Sequence, residues 1–133
     1  MPERFIDDAI REEASLGIDL EWRPRTLYAD TDAPDHAALL QLALRDEIFV
    51  CDLIAPADDP LAVRMLRATL VRALSTPRLT KRGFAIAGDL KQLDDVPGLD
   101  GASNGALCVR DLQLEACVAL GISRRRPIGL STL

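Results

Sequence analysis

The chain has 133 residues and a formal net charge of -5, with 48% hydrophobic and 28% charged residues. That length supports one domain around one core, and the composition excludes a disordered chain. No apolar run approaches the roughly 20 residues that cross a bilayer, and Pro2-Glu3-Arg4-Phe5-Ile6-Asp7-Asp8 is too acidic for a signal peptide, so the expectation is a soluble intracellular domain without a membrane partner, of nucleus or cytoplasm alike.

The charge is unevenly spread. Residues 1–59 carry 5 basic and 15 acidic residues, and residues 60–133 carry 11 basic and 6 acidic. An acidic chain is a poor prior for nucleic-acid binding, but a separately basic half can steer a polyanion. Cys51, Cys108 and Cys117 lie in apolar runs without metal-ligand spacing. They read as small buried hydrophobes of a reducing compartment.

Residues 3–14 read as a helix. Phe5, Ile6, Ala9, Ile10 and Ala14 recur at helical spacing, with Asp8, Arg11 and Glu12 between them. Residues 15–22 read as the first strand, stopped by Pro24. Alternation along it turns Asp19 and Glu21 to one face and Ile18, Leu20 and Trp22 to the other. Two neighbouring carboxylates repel each other and resist desolvation, and a hard divalent cation relieves both. A solvated face of an edge strand accommodates the same pair. Residues 23–36 are a polar, Asp-rich loop ending in the lone His36, which has no Cys or second His beside it and reads as a loop histidine.

Residues 38–44 are apolar with one exception and read as a buried strand; a polar turn, Arg45-Asp46-Glu47, leads to a further strand at 48–54. So short a connection makes the pair antiparallel. Asp59 as N-cap and Pro60 at the first helical position open a helix that runs to about Leu74. Val63, Leu66, Leu70 and Leu74 form its core stripe, with Arg64, Arg67 and Arg72 on a solvated face. Residues 81–87 read as a fourth strand. Gly88 turns the backbone sharply into a short helix at 88–93 that holds Asp89. After a Gly- and Asp-rich loop at 95–105, residues 106–110 read as a fifth strand and Asp111 as the N-cap of a helix to about Leu120. Arg124-Arg125-Arg126-Pro127 is a basic linker, and residues 128–133 begin another helix. Strands alternating with helices imply a parallel portion, to which the hairpin adds an antiparallel strand.

Six stretches, in order, carry a resemblance. Gly17-Ile18-Asp19-Leu20-Glu21-Trp22 resembles the first motif of the DEDD 3′→5′ exonucleases, in the branch of ribonuclease D, the Werner-syndrome exonuclease domain and the Mut-seven-type exonucleases. The likeness continues through Leu40-Gln41-Leu42-Ala43 and Cys51-Asp52-Leu53. It is strongest from Lys81 through Gly88-Asp89-Leu90 to Leu93, which resembles the second motif with its aspartate at Asp89. Arg110-Asp111-Leu112-Gln113 and Ile128-Gly129-Leu130-Ser131-Thr132-Leu133 resemble the landmarks that follow.

The resemblance implies an α/β, ribonuclease H-like fold: a mixed sheet with the first strand central, one antiparallel strand, and helices on both faces. It implies hydrolysis of nucleic-acid phosphodiesters from a DNA or RNA 3′ end with two Mg2+ or Mn2+ ions. Asp19 would bridge the two ions, Glu21 would bind the one that holds the attacking water, and Asp89 would serve the other. Locally, Asp89 also reads as a helix N-cap. Trp22 fits either the family's substrate side or the core. Lys81, Arg82 and Lys91 flank the second motif, where they could meet phosphate or serve as plain surface charges. The family's fourth carboxylate follows a tyrosine by four residues on a later helix. No Tyr-x-x-x-Asp follows Leu130, and the one tyrosine, Tyr28, lies in the early loop. The expectation is therefore a single domain over residues 1–133, incomplete at its C-terminus and without the C-terminal helices. The competing reading is a catalytically incomplete nucleic-acid-binding or interaction module with the same fold.

Overall fold

Leu16, Ile18 and Leu20 alternate with Gly17, Asp19 and Glu21 along β1 (Ser15–Trp22), and only the first set is buried. In the computed structural model, which describes residues 3–12, 14–22, 37–45, 47–54, 59–123 and 129, this strand is the centre of the sheet. β2 (Ala37–Leu44) pairs with it antiparallel, setting Asp19 opposite Gln41 and Leu20 opposite Leu40. β3 (Glu47–Asp52) pairs antiparallel with β2. On the other side of β1, β4 (Thr80–Gly83) and β5 (Val109–Asp111) join in parallel. The order is β3-β2-β1-β4-β5, so β2 alone runs against the other four. The mixed sheet with a central first strand and one antiparallel strand is the expected α/β architecture.

The helices are α1 (Glu3–Arg11), α2 (Pro60–Ser75), α3 (Ile86–Asp94) and α4 (Leu112–Ala119). Ile6 and Ala9 of α1, Leu66, Leu70 and Leu74 of α2, and Ile86, Leu90 and Leu93 of α3 share one cluster with Leu16, Ile18, Leu20, Leu40 and Leu42. Each buried leucine or isoleucine contributes roughly 1.5–3 kcal/mol. An exposed ion pair such as Arg45–Glu12 contributes at most about 1 kcal/mol, so this cluster holds the fold. α4 contacts β4 and buries Cys117, which lies outside that cluster.

Short-range signals act as expected at two helix starts. The Asp59 carboxylate accepts from the amides of Leu61 (3.0 Å) and Ala62 (3.1 Å), ahead of Pro60. Asp111 caps α4. Several expectations need correction. The first helix stops at Arg11 rather than 14. The fourth strand ends at Gly83, not 87: Ala85 adopts a left-handed conformation (φ 57°) and α3 begins at Ile86. Gly88 sits inside the first helical turn, so the sharp turn belongs to Ala85. The fifth strand starts three residues late, after a positive φ at Cys108. Of the cysteines only Cys117 is buried; Cys108 is exposed and Cys51 is intermediate.

Lys81 departs furthest from expectation. It is fully buried, because alternation on β4 turns it to the side of its β1 partner Leu16. Its Nζ donates to the carbonyls of Thr76 (2.8 Å) and Leu79 (2.7 Å). Burial pushes its pKa down. The lysine ties off the connection from α2 to β4 and cannot meet phosphate. The loop at 23–36 with Tyr28 and His36, the basic run at 124–127 and the expected C-terminal helix lie outside the described residues, Gly129 excepted.

Candidate active site

Asp19 and Glu21 stand exposed on one side of β1, as alternation requires. The register slips between Glu21 and Trp22, which takes Trp22 out of the alternation. It is 41% exposed rather than in the core, and its indole Nε1 donates to Gln92 Oε1 of α3 at 2.6 Å.

β4 pairs with β1 only from Ser15 to Gly17. Beyond Gly83 it leaves the sheet, and the stretch of β1 that bears Asp19 and Glu21 has no paired strand on that side. Here the connectivity also reverses. From β1 the chain proceeds outward through β2 and β3, then returns to the opposite flank for β4 and β5. In open α/β sheets ligands bind at such a switch point, outside the carboxyl ends of the strands.

α3 enters at this point and packs against β1. Asp89 lies in its first turn and is only 8% exposed. The cap position is taken by Ala85, which offers no side-chain hydrogen bond, so Asp89 is not the N-cap. Its Oδ2 is buried with no hydrogen-bond partner among the described residues. The Asp89 pKa is pushed up to about 6, first by burial and then by the charges of Asp19, Asp111 and Glu21. Carboxylates from β1, α3 and the end of β5 therefore share one electrostatic neighbourhood.

Sharing a field is not yet chelation. Among the described residues, no three His, Cys, Asp or Glu side chains stand close enough to hold an ion as they are. The donors nevertheless suit a hard divalent cation: all are carboxylate oxygens, one is buried without a partner, and mutual repulsion is what a cation would relieve. The side chains would have to close on it.

Asp111 was legible as a cap but not as a member of this neighbourhood. Its Oδ1 accepts from Gln113 N (2.9 Å) and Leu114 N (3.3 Å) within α4 and from Ala85 N (3.2 Å) across the sheet edge. Nothing local in the sequence announces that third bond. Arg82 and Lys91 are exposed, and of the three flanking cations only they can reach a ligand.

No protein-family model matches the chain. The human exonuclease mut-7 homologue is 28% identical over an alignment 145 positions long, which covers 96% of this chain and 16% of that protein. Among solved structures, the Aedes aegypti Nibbler EXO domain superposes with a TM-score of 0.63 at 19% identity, covering 88% of this chain and 51% of that one. The EXD2 exonuclease domain superposes with a TM-score of 0.63 at 21% identity, covering 90% and 54%. The chain thus spans about half the length of these two solved chains.

Proposed function

We propose, from the fold it shares with the Nibbler and EXD2 exonuclease domains and its likeness to the mut-7 homologue, that the chain is a DEDD-type 3′→5′ exonuclease domain of ribonuclease H-like fold, hydrolysing nucleic-acid phosphodiesters from the 3′ end with two divalent cations. The observation that carries this reading is the buried Asp89 carboxylate, whose Oδ2 has no partner among the described residues, in the field of Asp19 and Glu21. Asp19, Glu21 and Asp89 would hold Mg2+ or Mn2+, with Asp19 shared. The EXD2 domain was crystallised with Mn and Mg soaked in, and in another crystal with Mg and GMP, which supports divalent metal and nucleotide as the ligands here. Bound cations would supply a nucleophile near neutral pH and offset charge on the leaving 3′ oxygen.

The protein's own part is placement. Asp19 and Glu21 are held by a paired central strand, and Asp89 by a helix docked on it. Without cations the three carboxylates repel a phosphodiester, so productive binding of substrate depends on metal. Trp22 stands exposed beside Glu21 with its indole anchored by Gln92, and offers a face on which a terminal base can stack. Arg82 and Lys91 supply phosphate contacts that position the strand without reading its sequence.

A second reading, a module that binds nucleic acid without cutting it, is favoured by one observation: no three described donors form a ready chelating group. A single experiment separates the two. Single-stranded DNA and RNA oligonucleotides labelled at the 5′ end are incubated with Mg2+, Mn2+ or EDTA. A metal-dependent ladder shortening from the 3′ end is expected, reduced at least about 100-fold in Asp19→Asn. Metal-dependent binding without shortening favours the second reading, and neither binding nor shortening sinks both.

A further inference from the structure

We infer that Asp111 is a positioning residue for this site: a single carboxylate oxygen ties the β4–α3 turn to the start of α4 and so sets where Asp89 stands relative to β1. The inference rests on the reading of Asp19, Glu21 and Asp89 as cation ligands.

The turn that launches α3 is under constraint from two sides. On the β1 side is Gly83. A Cβ there would lie 2.6 Å from the carbonyl oxygen of Ile18 and 3.0 Å from Ile86 Cβ, so only glycine lets the end of β4 come this close to the residue before Asp19. On the β5 side is Asp111, which is the register partner of Gly83. Between them Ala85 adopts φ 57° and ψ 32°, a left-handed conformation that is unfavourable for an alanine. The helix it starts has no side-chain cap of its own. The Ala85 carbonyl accepts from the Gly88 amide within the turn at 2.9 Å, and the bond from its own amide to Asp111 Oδ1 at 3.2 Å ties it to another element.

That oxygen is itself immobilised. The amides of Gln113 and Leu114 donate to it at 2.9 and 3.3 Å, and the N-terminus of α4 favours its negative charge. A rigid acceptor on one element thus anchors the first residue of another. Asp89 follows Ala85 by about one helical turn, so a shift of the turn is carried directly to its carboxylate. A displacement near 1 Å is enough to lose most of a metal-assisted rate.

The test compares Asp111→Ala, which removes the acceptor, with Asp111→Asn, which keeps an oxygen and drops the charge. Two readouts are taken. Amide hydrogen exchange follows Ala85 and the first turn of α3 in metal-free protein. Mn2+ affinity is read from quenching of Trp22, the chain's one tryptophan, which adjoins Glu21. In Asp111→Ala, exchange at Ala85 is expected to speed about tenfold and Mn2+ affinity to fall about tenfold, the loss of one hydrogen bond to a charged acceptor. Asp111→Asn is expected to stay within about threefold of the parent in both.

Faster exchange confined to Gln113 and Leu114, with Ala85 and Mn2+ affinity unmoved, reduces Asp111 to a cap and overturns the inference. An equal loss of affinity in Asn and Ala overturns it too, since charge rather than the acceptor would then matter. Should Asp111→Ala not fold, Asp111→Ser keeps a cap for α4 and carries the same measurements. If the parent binds no Mn2+, the cation reading fails by itself, and the Ala85 exchange still decides whether Asp111 anchors the turn.

Discussion

Asp89 is the carboxylate whose surroundings suit it least. In the unfolded chain it titrates near 3.8, and in the fold near 6. Below about pH 3 it is protonated in both states and costs nothing. Between about pH 4 and 6 the unfolded chain ionises while the buried acid, beside like charges, keeps its proton, so stability falls by about 3 kcal/mol at most and levels off above pH 6. Asp89→Asn mimics the protonated acid at every pH. It is expected to be about 1–3 kcal/mol more stable than the parent at pH 7.5 without metal, and equal to it at about pH 3. Urea denaturation at the two pH values checks this. Equal midpoints at pH 7.5 would mean that Asp89 is not strained by its neighbours. A bound divalent cation removes the penalty, so Mg2+ should stabilise the parent and not the variant.

At the scale of elements, the junction of β4 and α3 decides the site. Gly83→Ala places a methyl group 2.6 Å from the Ile18 carbonyl oxygen, a Cβ against backbone, where neither can rotate away. The expected cost is about 1–3 kcal/mol, typical of overpacking, together with a displaced α3. Gly88→Ala is the control. A Cβ at Gly88 meets nothing within 4 Å, and alanine is the better helix former by about 1 kcal/mol. Thermal melts should therefore move in opposite directions for two glycine-to-alanine changes five residues apart. A Gly83→Ala protein as stable as the parent would show that β4 can draw back from β1, and that the junction is softer than its geometry.

Across the whole molecule, an acidic half supplies Asp19 and Glu21 and a basic half supplies the flanking cations. A polyanion should meet that field along the Arg82 and Lys91 side. Arg82→Glu is expected to weaken oligonucleotide binding in Mg2+, to lower the slope of log affinity against log salt by about 1 or more, and to leave the melt unchanged. Lys81→Glu is expected to do something else. It sets a carboxylate against the carbonyls of Thr76 and Leu79, and should cost about 3 kcal/mol or more in stability. Adjacent charge reversals thus separate a surface contact from an internal strut. Equal binding losses with both proteins folded would mean that Lys81 faces the ligand after all.

Local physics was legible in the sequence. The two-residue period of β1 set Asp19 and Glu21 on one face, and Asp59 and Asp111 announced their helices because a cap is read within three residues of itself. The hairpin followed from a connection too short for any crossover. Three things waited for the tertiary structure. Phe84-Ala85-Ile86-Ala87 is apolar enough for strand or helix, and the choice is made by the Ile18 carbonyl and by Asp111, both distant in sequence. A lysine beside an arginine looks like surface, and only the pairing of β4 with β1 turns one inward, onto carbonyls near the end of α2. The raised pKa of Asp89 needs first its burial in the closed fold, and then charges from β1 and the end of β5. Periods and caps are interactions between near neighbours in the chain. Burial and long-range fields depend on which elements the sheet order brings side by side, and that is decided only when the whole core closes.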